Sequence, residues 1–249
     1  MERHTAQSVL KATKILELFK QKDEWGIAEI GRELSYPVSS VHRLIASLEQ
    51  AGFVYKNQDT NRYALDIEIF LLGNHVKIVN LLEQKAYSYI EKLAEELNEC
   101  VHISVYLDGE AVAVLNATSK WQIAASPHVG QSRRIYATAV GRCLLAYNSY
   151  RCYDRFLLSD EELLPYTKNT VTDRDQLEQI LEQVRQDGVA MDYEEVEENL
   201  ICTAAPIFAG GKICIAAMSC SVPKNRFIGR EELIRQSVID TAKKISEHI

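Results

Sequence analysis

Residues 35–52 constrain the fold of this chain more than any other stretch, because they read as a helix with a marked start and end. Pro37 suits the first turn of a helix, where its missing N–H would have no partner in any case. Gly52 stands where a helix ends in a left-handed residue. Apolar side chains recur between them at helical spacing and form one face: Val41, Leu44, Ile45 and Leu48.

The opposite face of this helix carries small hydrogen-bond donors around one guanidinium. These residues are Ser39, Ser40, Arg43 and Ser47. Such a surface suits a helix that lies in the major groove of DNA and reads base edges. It equally suits an ordinary amphipathic helix with a polar outer side. The helix taken alone leaves both interpretations open.

The neighbouring segments favour the DNA interpretation. Apolar periodicity predicts helices over residues 6–20 and 27–34, and a short link joins the second of them to the helix after Pro37, as in a helix-turn-helix. Two β-prone runs then flank a polar turn, which predicts a hairpin placed like the wing of a winged helix. Lys56 and Arg62 flank its tip, where we expect them to meet phosphates. The alternative is a solvated hairpin whose charges have no partner.

Composition and charge limit the classes of protein that remain. With 249 residues the chain is long enough for two domains, and its formal net charge of -7 argues against broad, charge-driven binding of nucleic acid. Residues 1–70 hold 9 basic and 10 acidic side chains, against 19 and 25 in the remainder, so DNA binding would depend on where a few cations lie. Six cysteines without a C-x-x-C pair, and no apolar run of membrane-spanning length, predict a reduced cytoplasmic protein with no membrane segment, metal site or cofactor.

The rest of the chain reads as a helical connector followed by an α+β domain. Helical spacing continues over residues 66–73 and 79–97. Asp108-Gly109 and Gly210-Gly211 each separate two β-prone runs and predict hairpins. Further predicted elements are a short strand at 134–136, an extended run at 189–193, and helices at 138–147, at 172–188 with Thr172 as its cap, and at 231–249. Hairpins interspersed with helices indicate an antiparallel sheet covered by helices.

Polar side chains at three strand ends could line a small cavity. They are Asp192, Cys202, Ser219 and Ser221, and the helix that starts near Ala139, Val140 and Gly141 could add N–H groups for an anion. A small carboxylate-bearing metabolite fits this set. Core packing and hydrogen bonding within the sheet are the competing explanations.

Several further expectations concern the same domain. We expect the cavity's apolar wall to come from Met191, Met218 and Leu144, residues 194–198 to form a solvated acidic loop, and His102 to be structural. A second class of function is a cysteine-dependent enzyme with Cys202 as nucleophile and His102 as base, although no third orienting group is evident.

The chain resembles the IclR family of bacterial transcriptional regulators over nearly its whole length. In the amino-terminal part the resemblance rests on residues 7–12, 27–34, 38–53, 63–65 and 72–73. In the remainder it rests on residues 137–146, 188–195, 202–208 and 217–221. One departure is Leu200, where the family usually has Gly.

The resemblance implies a domain plan and a function. Residues 1–70 would be a winged helix-turn-helix domain, 71–98 a helical linker, and 99–249 a GAF-like α/β effector-binding domain with an antiparallel sheet. Ser39, Ser40 and Arg43 would contact double-stranded operator DNA, and a small organic acid would bind at the cavity positions named above. The regulator would act as a homodimer or a dimer of dimers, as a repressor or an activator.

Overall fold

The computed structural model describes residues 5–118, 120, 127–157, 159 and 162–249. The chain divides into two compact units, Met1–Lys77 and Ile78–Ile249. None of the helices in these ranges is long and apolar enough to cross a bilayer.

The first unit is a winged helix-turn-helix, as predicted. Its elements are α1 Gln7–Leu18, α2 Ile27–Glu33, α3 Val38–Gln50, β1 Val54–Lys56, β2 Tyr63–Leu65 and α4 Ile67–Gly73. The core forms around the buried side chains of Ile15, Ile30 and Ile45. Val9, an apolar residue in the first turn of α1, is exposed because that turn extends past the core. Pro37 is the N-cap of α3 rather than a residue of its first turn.

The hairpin of β1 and β2 is tied to the connection between α1 and α2. Trp25 and Tyr63 exchange two backbone hydrogen bonds of 2.9 Å, and the Trp25 indole N–H donates to the Leu18 carbonyl at 3.0 Å. These bonds give the wing a defined attachment to the three-helix core.

The second unit is a six-stranded antiparallel sheet with helices on both faces. The strands are β3 Cys100–Leu107, β4 Glu110–Ala117, β5 Ser132–Arg134, β6 Ala190–Tyr193, β7 Leu200–Ala209 and β8 Ile213–Pro223. The helices are α5 Lys77–Leu97, α6 Ala139–Ala146, α7 Cys152–Leu157, α8 Arg174–Asp187, α9 Lys224–Phe227 and α10 Glu231–Ser246, with a 3-10 turn at Ser149–Arg151. The spatial order of the strands is β5-β4-β3-β8-β7-β6.

Both predicted hairpins are confirmed. Asp108 and Gly109 have φ of 45° and 84°, and Gly210 and Gly211 have φ of 56° and 69°. Positive φ at both central residues is the requirement of a type I′ turn, whose twist matches that of the flanking strands.

Three local predictions were wrong. The α8 helix is capped by Asp173, whose carboxylate accepts the Gln176 N–H at 2.7 Å, and not by Thr172. The strand predicted at 134–136 lies at 132–134, because β5 pairs with Glu110 to Val112 of β4 and the chain then turns into α6. The short helices α7 and α9 were not predicted, since each is under two turns long.

Alternation along the strands divides the core into two layers. Ala205 and Met218 point into the layer that holds α5 and α10, whereas Ala204 and Ala217 point into the layer that holds α6 and α8. From Ala217 onward the odd-numbered residues of β8 therefore face α6, and Ser219 and Ser221 share that face.

A buried ion cluster joins the end of α5 to α9 and α10. Glu99, only 1% exposed, accepts two hydrogen bonds of 2.8 Å from Arg226 and one of 3.3 Å from Arg230. Arg230 also donates to the carbonyl of Leu97, the last residue of α5, at 2.7 Å. The acidic carboxy-terminal end of α5 thus has cations close to it, which favours the helix dipole.

Candidate functional site

The outer face of α3 is the candidate DNA-binding surface. Ser39, Arg43 and Ser47 are exposed and Ser40 is half-buried, whereas the opposite side of the helix packs in the core. The Ser47 hydroxyl donates to the Arg43 backbone carbonyl at 3.0 Å, and the Arg43 side chain itself is exposed. The four predicted residues share one surface.

The first turns of α1 border this surface, which the sequence pattern did not predict. Gln7, Ser8 and Lys11 line a groove together with Ser40, Arg43, Leu44 and Ser47. The Lys11 ammonium lies 5.4 Å from the centroid of the Tyr36 ring. Periodicity marks these α1 residues as polar, but it cannot say which helix they adjoin.

The two predicted wing cations have different surroundings. Arg62 forms an ion pair with Glu29, which also pairs with Lys22, and these contacts lower the pKa of the Glu29 carboxyl, the Lys22 hydrogen bond most of all. Lys56 forms no ion pair with the described residues. Only Lys56 is therefore placed as a cation without a carboxylate beside it.

A second acidic residue holds the tip of the wing. Glu24 accepts hydrogen bonds from the Asn57 amide at 2.6 Å and the Thr60 hydroxyl at 2.8 Å. Both bonds lower the pKa of the Glu24 carboxyl, the Thr60 bond more strongly. The wing tip is thus fixed from behind by the connection between α1 and α2.

The second unit contains a cavity of about 280 Å³ on the α6 face of the sheet. Six of the seven residues predicted for an effector site line it: Ala139, Val140, Asp192, Cys202, Ser219 and Ser221. All six strands contribute to the lining, from Arg133 on β5 at one edge to Asp192 on β6 at the other. A flat sheet of six strands would be about 24 Å wide, so the sheet curls to bring its edges to one cavity.

Strand register brings the predicted polar residues together. Cys202 lies opposite Asp192 on one side and Ser221 on the other, and its thiol is 3.4 Å from the Ser221 hydroxyl. Ser219 lies opposite His102 of β3. His102 and Ser219 are more than a hundred positions apart in sequence, and the pairing of β3 with β8 makes them neighbours.

Gly141 is the predicted residue that does not line the cavity. Its N–H donates to the Thr138 hydroxyl at 3.0 Å, so this N–H is not available to a ligand. A Cβ at Gly141 would lie 1.9 Å from the Ile135 carbonyl oxygen, which excludes any side chain. The α6 helix begins with Ala139 and Val140, whose N–H groups have no partner within the helix and border the cavity.

Asp192 is held at the buried edge of the cavity. It is 3% exposed and accepts the Glu195 N–H at 2.8 Å. Burial raises the pKa of its carboxyl to about 7, against the opposing effect of that hydrogen bond.

The acidic run after β6 is a solvated loop only in part: Glu197 and Glu198 are exposed, as predicted, but Glu195 is buried. Glu195 is 6% exposed and makes a bidentate ion pair with Arg142 of α6, which is 2% exposed. Arg142 also donates to the carbonyls of Tyr136 and Met191. Because a buried unpaired charge is costly, this ion pair fixes the loop that follows Asp192 and β6 against α6.

His102 is a cavity residue, which the sequence analysis had taken as structural. It is 7% exposed, and burial lowers its pKa to about 4, so the ring is neutral at physiological pH. Its Nδ1 atom and the Ser219 hydroxyl have no hydrogen-bond partner within the described part of the chain. Ser104, Gln131, Arg133 and Glu197 also line the cavity and were missed, since nothing in their spacing marks them.

The apolar wall comes from small and branched residues rather than the predicted ones. Its members are Ala111, Ala113, Val140, Val196 and Leu200. Met191 and Met218 point into the opposite core layer, and Leu144 is enclosed in the layer beneath α6. Leu200, where the resemblance implied Gly, occupies part of the wall.

Cys202 has the surroundings of an inert thiol. Burial, followed by the nearby Asp192 carboxyl, raises the pKa of the Cys202 thiol well above its ordinary value. A nucleophilic cysteine needs the opposite shift. The geometry disfavours the cysteine-dependent enzyme.

Family models decide the identity of this chain. Residues 8–58 match the IclR helix-turn-helix domain, and residues 75–247 match the bacterial transcriptional regulator IclR C-terminal domain. This chain belongs to the IclR family. It is a transcriptional regulator with a helix-turn-helix domain and an IclR effector domain, and its relatives are named as regulators and not as enzymes.

The similarity to individual IclR proteins extends over whole chains. The regulator KdgR of Escherichia coli (strain K12) is 29% identical over 246 residues, which cover 97% of this chain and 92% of that protein. The regulator Rv1719 of Mycobacterium tuberculosis is 32% identical over 242 residues, with 96% and 91% covered. An IclR homolog from Microbacterium hydrocarbonoxydans, crystallised as a complex with 4-hydroxybenzoate, superposes with a TM-score of 0.85 at 20% identity and shows the same fold over 97% of this chain and 98% of that one.

Proposed function

We propose that this regulator binds operator DNA through the outer face of α3, and that a small organic acid in the cavity controls this binding. The observation that carries the proposal is a cavity lined by two buried polar atoms, His102 Nδ1 and Ser219 Oγ, that have no partner among the described residues, in a domain whose relatives regulate transcription. Unpaired buried polar atoms cost free energy that a ligand would recover.

On the DNA side, Ser39, Ser40, Arg43 and Ser47 face the major groove and Lys56 meets a phosphate. The protein binds as a homodimer or a dimer of dimers, so that two copies of α3 meet two halves of a palindromic site. The ligand acts by binding one arrangement of the two DNA-binding domains better than the other. The homolog with bound 4-hydroxybenzoate supports an organic acid as the class of ligand.

The DNA half is tested by anisotropy titration of the gene's own upstream region. We expect Arg43→Ala to weaken specific binding by about tenfold or more, because one bidentate base contact is worth about 1–3 kcal/mol. Arg151→Ala is the matched control, since Arg151 is 82% exposed and lies in the other unit. Equal affinity of Arg43→Ala and the unaltered protein would exclude the proposed docking of α3.

The ligand half is tested by thermal-shift screening of organic acids on the full chain, followed by DNA titration with each acid that binds. A ligand stabilises the state that it binds, so a true effector raises the melting temperature and changes DNA affinity together. Ser219→Ala should reduce both effects. If no acid that binds changes DNA affinity, control by an organic acid is excluded.

A further inference from the structure

We infer that the ligand is a hydroxylated carboxylic acid, with its carboxylate toward Arg133 and the first turn of α6 and its hydroxyl groups toward His102, Ser219 and Asp192. The inference rests on the proposed function and names the chemical class and the orientation of the ligand. Three features of the cavity carry it: the distribution of charge, the unpaired buried atoms and the shape of the wall.

Charge is divided across the cavity. Arg133, on β5, is the one cation among the described residues of the lining. The two carboxyl groups in that lining, Asp192 and Glu197, lie on β6 and just beyond it, at the other edge of the sheet. An anionic group is therefore attracted to the Arg133 edge, whereas the described lining residues at the Asp192 edge include no cation to pair with it.

The start of α6 adds to the attraction for an anion. Ala139 and Val140 line the cavity at the positive end of the helix, and their N–H groups have no intrahelical partner. Together with the exposed guanidinium of Arg133, whose Nη1 donates to the Ser132 carbonyl at 3.0 Å while its other N–H groups remain donors, they offer only hydrogen-bond donors. A carboxylate, which only accepts, fits this end.

The centre of the cavity offers the opposite mixture. A neutral His102 ring has one donor nitrogen and one acceptor nitrogen, and the Ser219 hydroxyl can both donate and accept. These two residues are register neighbours on β3 and β8, and both line the cavity. An alcohol group both donates and accepts and can satisfy them, whereas a second carboxylate cannot donate.

The wall limits the size of the carbon skeleton. A volume of about 280 Å³ is below the range of about 300–1,000 Å³ usual for drug-sized ligands. Leu200 and Val196 are the branched side chains on the β6–β7 side of this wall, whereas Ala111 and Ala113 leave the β4 side open. The cavity suits a short, unbranched, hydroxylated chain that reaches from Arg133 toward Asp192.

The test compares three six-carbon probes by calorimetry on the full chain. D-gluconate carries both a carboxylate and hydroxyls, D-glucitol carries only hydroxyls, and hexanoate carries only a carboxylate. D-galactonate and D-glycerate extend the first class to another stereochemistry and a shorter chain. We expect at least one hydroxy acid to bind about tenfold or more tightly than both glucitol and hexanoate, since a hydrogen bond to a charged group is worth about 1.5–3 kcal/mol.

Two variants assign the ends of the ligand. Arg133→Gln should remove the advantage of the hydroxy acid over glucitol, whereas Arg134→Gln, the next residue on β5 and outside the lining, should keep it. Ser219→Ala should remove the advantage over hexanoate. If Ser219→Ala fails to fold, His102→Gln replaces it as the central variant.

The inference is overturned if hexanoate or glucitol binds as tightly as every hydroxy acid, if no hydroxy acid binds at millimolar concentration, or if Arg133→Gln keeps the preference. Control of DNA binding by an acid without hydroxyls would overturn this inference and leave the proposed function standing. Binding of a hydroxy acid without any change in DNA affinity would overturn the proposed control of DNA binding and leave the assigned ligand class standing.

Discussion

The buried polar side chains that line the cavity are largely uncharged. Burial raises the pKa of Asp192 to about 7 and lowers that of His102 to about 4, and it also raises the pKa of the Cys202 thiol. Each shift disfavours the charged form of its group. A ligand that approaches these side chains meets hydrogen-bonding groups rather than fixed charges.

The pKa shifts of Asp192 and His102 predict opposite effects of pH on the free energy of unfolding. The pKa of Asp192 rises from 3.8 to about 7, so its contribution is present at low pH and is lost as pH rises through this range. The pKa of His102 falls from 6.5 to about 4, so its contribution is present above 6.5 and is lost as pH falls toward 4. Between pH 4 and 6.5 the two contributions oppose each other.

We therefore expect Asp192→Asn to change how the free energy of unfolding depends on pH. Relative to the unaltered protein, its free energy of unfolding should increase from pH 4 to 6.5 by on the order of 3 kcal/mol, at about 1.4 kcal/mol for each pH unit. Urea denaturation at several pH values measures this, and His102→Gln should show the opposite trend. Parallel curves for Asp192→Asn and the unaltered protein would contradict the assigned shift.

Residue-level prediction from sequence succeeded where a local period was sufficient. Alternation along a strand places Ser219 and Ser221 on one face, and the structure places both in the cavity. Glu195 could not be predicted, because its burial depends on Arg142, which is 53 residues away in sequence. His102 was misjudged for the same reason, since its neighbour Ser219 is supplied by the pairing of β3 with β8.

At the scale of elements, the wing is held by acidic residues that lie behind it. Glu24 binds its tip and Glu29 binds Arg62, while the Trp25 bridge joins β2 to the connection between α1 and α2. The hairpin itself is short, and an isolated hairpin is marginally stable in water. These contacts are therefore part of what positions the wing.

This arrangement predicts different roles for the two wing cations. Lys56→Gln should lower the dependence of log affinity on log salt concentration by about one, the effect of losing one phosphate contact. Arg62→Gln should leave that salt dependence nearly unchanged, because the Arg62 guanidinium is paired with Glu29. Loss of this ion pair should lower the melting temperature of the first unit slightly. Anisotropy titrations at several salt concentrations and thermal melts measure the two effects.

Glu29→Gln is the control for this assignment, since it should lower the melting temperature at least as much as Arg62→Gln because Glu29 also pairs with Lys22. An equal loss of salt dependence for Lys56→Gln and Arg62→Gln would mean that Arg62 leaves Glu29 for a phosphate when DNA binds.

For the whole molecule, α5 belongs to the packing of the second unit. The resemblance implied that residues 71–98 are a helical linker. In the structure, the apolar face of α5 packs in the core layer shared with α10. The buried side chains that α5 supplies are Leu82, Ala86, Ile90, Leu93, Ala94 and Leu97. Burial of four Leu or Ile side chains contributes on the order of 10 kcal/mol, which is comparable to the whole stability of a domain.

The boundary can be tested with two fragments. We expect residues 78–249 to unfold cooperatively in urea and to keep ligand-induced stabilisation, because the second core is complete. Residues 99–249 should lack a cooperative transition, since removal of α5 exposes one side of that core. A fragment 99–249 as stable as 78–249 would show that α5 is an appended linker and not part of the fold.

Local sequence was sufficient to predict the elements and their class, because the forces that specify them act over a few residues. Helical spacing predicted α3, and turn residues that tolerate positive φ predicted both hairpins. The α+β class follows from their order. Strand pairing and burial act between distant segments, so the partner of Arg62, the Arg142–Glu195 pair and the place of His102 emerged only from the folded chain.

The helix at residues 38–50 shows both contributions. The spacing of Ser39, Ser40 and Arg43 predicted its polar outer face. Two further features depend on how three helices and a hairpin pack. Lys11 of α1 borders this face, and Glu29 forms an ion pair with Arg62, one of the two wing cations. Spacing along the chain specifies which side chains share a face, whereas packing specifies what that face meets.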